Sequence, residues 1–302
     1  MLRTLISASL LPLAAACAAT TPPPTSAEAP RAPFSSERIG VTVVGSGPDV
    51  VLVPGLSSSP EVWRSTIEAM PGYRYHLVHV SGFAGRPAGA NASGEVVAPV
   101  AEEIARYIRE SGLRNPAIVG HSLGGTWAMM VAARHPGLVS KLMVVDMLPF
   151  VGAMFMPNAT PATVRPVAEQ IRAGIAGGGG AQRRATQEQI IATMIRTESL
   201  RPLAVEHGMS SDLAVSSQAY YDLIVTDLTP ELRNIQVPMT VLWVRPPNAP
   251  ISEEQFAGFY RMAYAGVPQA RVVRVPNAWH FIMWDEPEAF RQELRTFLAA
   301  GR

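Results

Sequence analysis

The 302-residue chain contains one cysteine, Cys17. A single thiol excludes an intramolecular disulfide and a cysteine-based metal site. Neither sign of charge is in excess: 25 Lys and Arg face 24 Asp and Glu, a formal net charge of +1. No cluster of Lys and Arg forms a basic stripe that would neutralise phosphates, so nucleic acid is set aside as a partner. The six histidines are scattered. His76 and His79 are the nearest pair, and in a strand-like run a spacing of three turns them to opposite faces, which is no metal cluster. An apolar run long enough to cross a bilayer is missing as well, since the stretch 5–16 is too short.

What is present is enough to build a large domain. Hydrophobic residues make up 48% of the chain and charged residues 16%, so a sizeable core can be buried and global disorder is excluded. The first residues read as an address. Met1-Leu2-Arg3 gives a positive start, and the apolar run after it fits a secretory signal. It ends Leu13-Ala14-Ala15-Ala16-Cys17, similar to a bacterial lipobox, although Leu is expected where Ala14 stands. The expectation is an exported protein of the bacterial cell envelope, with 1–17 as signal and lipobox segment and Cys17 lipidated. Ordinary cleavage after a small residue, giving a soluble periplasmic or secreted protein, is the alternative. Residues 18–36, rich in Pro, Ala, Ser and Thr, read as an extended tether.

From Glu37 onward short β-branched runs alternate with helical patterns, which predicts a mostly parallel sheet flanked by helices. Strands are expected at 40–44, 50–53, 73–80, 117–120, 142–145, 239–244 and 272–275, with helices at 60–70, 94–111, 126–134 and 287–299. The core therefore comprises 37–148 and 238–302. The stretch 149–237 breaks the alternation and is too long for a structureless loop. It is expected to be a helical cap insertion, helical around 187–196 and 216–224, with the tetraglycine 177–180 as a flexible break inside it.

Gly120-His121-Ser122-Leu123-Gly124 has the Gly-x-Ser-x-Gly pattern between a strand and a helix. That context presents a serine on a tight turn at a helix N-terminus, with small flanking residues letting backbone pass close by. Ser122 is the candidate nucleophile. An oxyanion needs two backbone N–H donors. Leu123 after the nucleophile supplies one, and Leu56 in Val53-Pro54-Gly55-Leu56, after an early strand, supplies the other. The candidate base is His280 in Asn277-Ala278-Trp279-His280-Phe281, the sole histidine C-terminal to the insertion.

Together these segments resemble the α/β-hydrolase family from about Glu37 to the C-terminus, interrupted by the insertion. The resemblance also rests on Val144-Val145-Asp146, Ile235-Gln236-Val237-Pro238, and Glu286-Pro287-Glu288-Ala289-Phe290 after the histidine. It implies acyl transfer in which Ser122 attacks, His280 moves the proton and a carboxylate orients the histidine. The family most often places that carboxylate in the loop where Asn248 stands. Asp146, Glu253, Glu254 or no carboxylate at all remain open for the role, with Asp146 at a preceding strand end as the nearest substitute. No cofactor is implied. The expected substrate is a small to medium, rather apolar ester. Lactone, amide or carbon–carbon hydrolysis on the same serine, or a lipoprotein that binds a ligand without catalysis, are the alternatives. Met147 to Pro157, apolar and Met-rich, either lines the mouth of the site or anchors the insertion.

Overall fold

The apolar runs of the sequence form the middle of one seven-stranded sheet, seen in a computed structural model that describes residues 34–247 and 249–300. Cys17, the signal segment, most of the 18–36 tether and Asn248 lie outside the described residues. The strands are β1 (Ile39–Gly45), β2 (Asp49–Val53), β3 (Arg74–Val80), β4 (Ala117–His121), β5 (Lys141–Val145), β6 (Met239–Trp243) and β7 (Arg271–Arg274). Their spatial order is β1-β3-β2-β4-β5-β6-β7, with β1 antiparallel to β3 and every other neighbour parallel. The turn at 45–48 does not make a hairpin: β1 pairs with β3, and β2 lies on the other side of β3.

Strand periodicity explains the two-sided core. Val51 and Val53 of β2 enter one apolar cluster while Val50 and Leu52 enter the other. Leu142 and Val144 of β5 face the first, Met143 and Val145 the second. Strands covered on both faces need continuous apolar runs, and β5 and β6 are buried along their whole length. Edge strand β1 shows the contrast, with Val43 50% exposed.

The helices follow the same arithmetic. They are α1 (Arg64–Ala69), α2 (Val97–Glu110) and α3 (Leu123–Arg134) in the first half. In α2, Val97, Val100, Ala101, Ile104 and Ile108 are buried at helical spacing, while Arg106 pairs with Glu103 and Glu110 on the outer face. Helix α3 is buried from Leu123 to Ala133, as a helix without a polar face must be.

Between β5 and β6 the chain forms α4 (Pro161–Gly177), α5 (Gly180–Met194), α6 (Arg201–Met209) and α7 (Leu213–Val225). The tetraglycine is the joint between α4 and α5. Helices α4 and α6 were not singled out in the sequence. Pro166 inside α4 masks its pattern, and the helix starts from a Thr160 cap that accepts from Thr163 N. The chain closes with α8 (Glu253–Ala263), α9 (Ile282–Asp285) and α10 (Pro287–Ala299). No helix among the described residues is long and apolar enough to cross a membrane.

The insertion is bolted to the sheet layers. Val215, Ala219 and Leu223 of α7 pack into the cluster of α2 and α3, whereas Ile191, Ile195, Ala204 and Val205 join the opposite one. Between these apolar contacts sits a buried carboxylate, Asp222. It accepts from Val96 N at 2.7 Å, Val97 N at 3.2 Å and Gln218 Nε2 at 2.7 Å, and so caps the N-terminus of α2, where a negative charge is favoured. Replacing Asp222 with Ala strands two amides in a dry contact. Removal is expected to cost about 2–3 kcal/mol, lowering Tm by roughly 5 °C or more in thermal unfolding, with Asp222→Asn losing less.

Candidate active site

Ser122 follows directly on the last residue of β4 and precedes the first of α3. Its backbone adopts φ 53°, ψ −128°, a conformation that L-residues rarely take and that persists where surroundings over-determine it. Ser122 N donates to Val145 O at 2.9 Å and Gly125 N to Ser122 O at 2.7 Å, so both sides of the turn are tied. Two glycines let the loop after β2 lie against this turn. A Cβ on Gly124 would overlap Val53 O, and one on Gly55 would come within 2.9 Å of the Ser122 Cβ. The N–H groups of Leu56 and Leu123, on the two sides of this contact, have no hydrogen-bond partner among the described residues.

Asp146, one residue beyond β5, also has positive φ, 52°. Its N–H donates to Leu242 O at 2.8 Å. Its carboxylate Oδ1 accepts from Val244 N and Tyr260 Oη, each at 3.2 Å, and Oδ2 meets His280 Nδ1 at 2.6 Å. A carboxylate only accepts, so Nδ1 is the donor, and in the neutral ring Nε2 then keeps its lone pair. Burial, reinforced by Asp146, pushes the Tyr260 phenol well above its ordinary pKa, which keeps it a donor. The other carboxylates left open by the sequence are elsewhere: Glu253 pairs with Arg274 at 2.7 Å, and Glu254 is exposed at the start of α8. Ser122 Oγ forms no hydrogen bond with His280 in this conformation; such bonds often tighten only when substrate is bound. The His280 side chain is 23% exposed. Two cavities, of about 500 Å³ beside Phe34, Arg74 and His76 and about 400 Å³ beside Asn91, Arg172 and Gln218, include neither Ser122 nor His280.

Two residues that sequence reasoning passed over hold the histidine loop. Asp285, buried in α9, accepts from Trp279 N at 2.9 Å, Arg196 N at 3.0 Å and Thr197 N at 2.9 Å, joining the loop to the end of the insertion's second helix. An Asp closing the apolar run Phe281-Ile282-Met283-Trp284 was the available signal. His121 is the other. Its ring packs 4.7 Å from those of His280 and Phe281, and its Nε2 lies 3.0 Å from His280 O. A carbonyl can only accept, so Nε2 holds the proton; Nδ1 is buried and unpartnered. Burial, followed by the neighbouring His280, holds the His121 pKa well below 6.5. His76 and His79 are structural: His76 bridges Tyr107 Oη and Asp49, and His79 donates to Phe83 O. Met147, Leu148 and Phe150 are buried, whereas Met154 is 60% exposed, so the Met-rich segment divides between anchoring and surface.

His76, His79, His121 and His207 all have pKa values depressed chiefly by burial. Below their unfolded value of 6.5 the unfolded chain binds more protons than the native one, so native stability must fall as pH drops through that value. Thermal unfolding from about pH 7.5 down to about pH 5 should show Tm decreasing, and His121→Gln, which keeps a donor, should flatten that slope.

The alpha/beta hydrolase family model matches residues 50–293. A pimeloyl-(acyl-carrier protein) methyl ester esterase of Vibrio cholerae serotype O1 is 31% identical over 216 residues, covering 67% of this chain and 77% of its own length. An sn-1-specific diacylglycerol lipase of Mus musculus is 24% identical over 260 residues, covering 83% and 81%. Among solved structures, an esterase from Exiguobacterium antarcticum superimposes with a TM-score of 0.71 at 20% identity, covering 87% of this chain and 96% of its own. The enol-lactonase from Burkholderia xenovorans LB400 gives 0.68 at 16% identity, covering 86% and 96%. With its sheet order, its strand–serine–helix turn and a family match over most of its length, the chain belongs to the alpha/beta hydrolase family and is a hydrolase.

Proposed function

We propose that the protein is a serine hydrolase of carboxylic esters carrying small to medium, apolar acyl or aromatic groups. Ser122 Oγ adds to the ester carbonyl carbon as its proton passes to His280 Nε2, and the carbonyl oxygen takes up negative charge against Leu56 N–H and Leu123 N–H. His280 returns the proton to the departing alkoxide oxygen, leaving an acyl-Ser122. Water, deprotonated by His280, then adds to the acyl carbon; collapse of that intermediate releases the acid and restores Ser122. The 2.6 Å contact of His280 Nδ1 with Asp146 Oδ2 supports this reading most strongly, because it leaves Nε2 free as a base. Two of the similar proteins are named for the hydrolysis of ester bonds, which favours esters over amides or carbon–carbon bonds. A binding-only lipoprotein would need no carboxylate against the histidine, so the Asp146 contact favours the catalytic reading.

Treating the purified protein with a fluorophosphonate probe tests the assignment. The parent is expected to label, Ser122→Ala not at all, and Asp146→Asn about 10³-fold more slowly or worse. A folded parent that never labels would overturn the reading.

Lipidation of Cys17, which lies outside the described residues, belongs to the same proposal. A diacylated cysteine would hold the domain at a membrane without a spanning helix. In the native host the parent should then enter the detergent phase on fractionation and Cys17→Ser the aqueous one.

A further inference from the structure

The loop carrying Leu56 does not hold its own shape. Ser57, the next residue, has φ 54°, in the left-handed region, and the bonds within the loop are long: Ser58 N to Gly55 O at 3.2 Å and Ser58 Oγ to Leu56 O at 3.3 Å. The insertion supplies the closer contacts. Ser57 Oγ lies 2.8 Å from Ser216 Oγ of α7, and Ser59 Oγ lies 2.9 Å from His207 Nε2 of α6. His207 Nδ1 is buried without a partner, so the ring's one hydrogen bond is spent on Ser59.

The corner between α6 and α7 that delivers these contacts is itself fixed to the core from behind. Asp212 N donates to Gly82 O at 2.8 Å, Ala84 N to Ser211 Oγ at 2.8 Å and Gly85 N to Ser210 O at 3.1 Å. There is no slack in this seat, for a Cβ on Gly82 would come within 2.7 Å of Val215. The corner is thus a post, anchored to the 82–85 turn on one side and gripping Ser57 and Ser59 on the other.

We infer that His207 and Ser216 are positioning residues for the Leu56 amide, so that the insertion sets how well the site stabilises an oxyanion. The inference rests on the serine-hydrolase reading. Ser57, directly after Leu56, is the strained residue and Ser59 lies two positions on; freeing them lets the peptide relax away from φ 54°. The Leu56 N–H then leaves the place where the oxyanion develops, and catalysis weakens while ground-state binding does not.

The test compares an oxoester with the matching thionoester, whose sulfur is a poor acceptor and draws little on the two N–H groups. Ser216→Ala and His207→Leu are each expected to lower kcat for the oxoester about tenfold at nearly constant KM, and together about a hundredfold. The oxoester to thionoester ratio of kcat/KM should fall in step, and His207→Gln, which keeps a polar group near the Nε2 position, should recover most of the loss. Arg165→Ala, which cuts an exposed bond to Tyr221 Oη, loosens the insertion elsewhere and should leave the ratio alone. If His207→Leu fails to fold, Ser216→Ala carries the test with its melting curve as control. A parental ratio in a folded Ser216→Ala, or a rise in KM alone, overturns the positioning role. Ester hydrolysis by Ser122→Ala at the parental rate instead overturns the serine reading and this inference with it.

Discussion

The Asp146 carboxylate is the fixed point of this site. It lies one residue past a buried strand, and its two oxygens gather an amide beyond the neighbouring strand, a phenol from α8 and an imidazole from the C-terminal loop. Each of those partners is braced in turn. Tyr260 stacks on Trp243 with ring centroids 5.2 Å apart, and the next ring along, Tyr264, donates to Met147 O at 2.6 Å, just beyond Asp146. His280 is held from behind by His121 and beneath by the Asp285 anchor. A polar cluster holds one arrangement when nearly every buried member is satisfied, and among its described residues the buried atom left unpaired is the Nδ1 of His121.

Backbone strain gathers at the same end of the sheet. Of the seven non-glycine residues with positive φ among those described, four are Ser57, Ser122, Asp146 and Asn277, one in each of the four segments that build the site. Parallel strands end together, and the loops leaving them converge on a crevice beyond their carboxyl ends. Loops that must turn sharply there, so that side chains and amides face a common point, take up rare conformations. The burial of β4, β5 and β6 along their length, and of β2 beyond Asp49, provides the rigid base that sustains them.

Much of this was legible in the sequence, for physical reasons that differ by element. The central strands were readable because burial on both faces demands uninterrupted β-branched or apolar residues. The strand–serine–helix turn at Ser122 was readable because glycines on both sides mark a tight junction, and the placing of His280 because it follows the last strand. Asp146 could be named only as one of several carboxylates, since what selects it is a through-space meeting with His280 across 134 positions of sequence. Helices α4 and α6 went unread because a proline inside one and the shortness of the other blur helical periodicity. His121, Asp222 and Asp285 escaped for a shared reason: each acts on backbone groups far along the chain, and a backbone group leaves no trace in the letter of its residue.

That last property has an evolutionary side. Asp222 and Asp285 seat the insertion by accepting from the main-chain amides of residues 96, 97, 196, 197 and 279. Every residue except proline carries such an amide. These five bonds therefore ask for no particular side chain at the donor positions, whereas they do at the two acceptors. An insertion fastened in this way can be rewritten over most of its surface without being unseated from the scaffold beneath it.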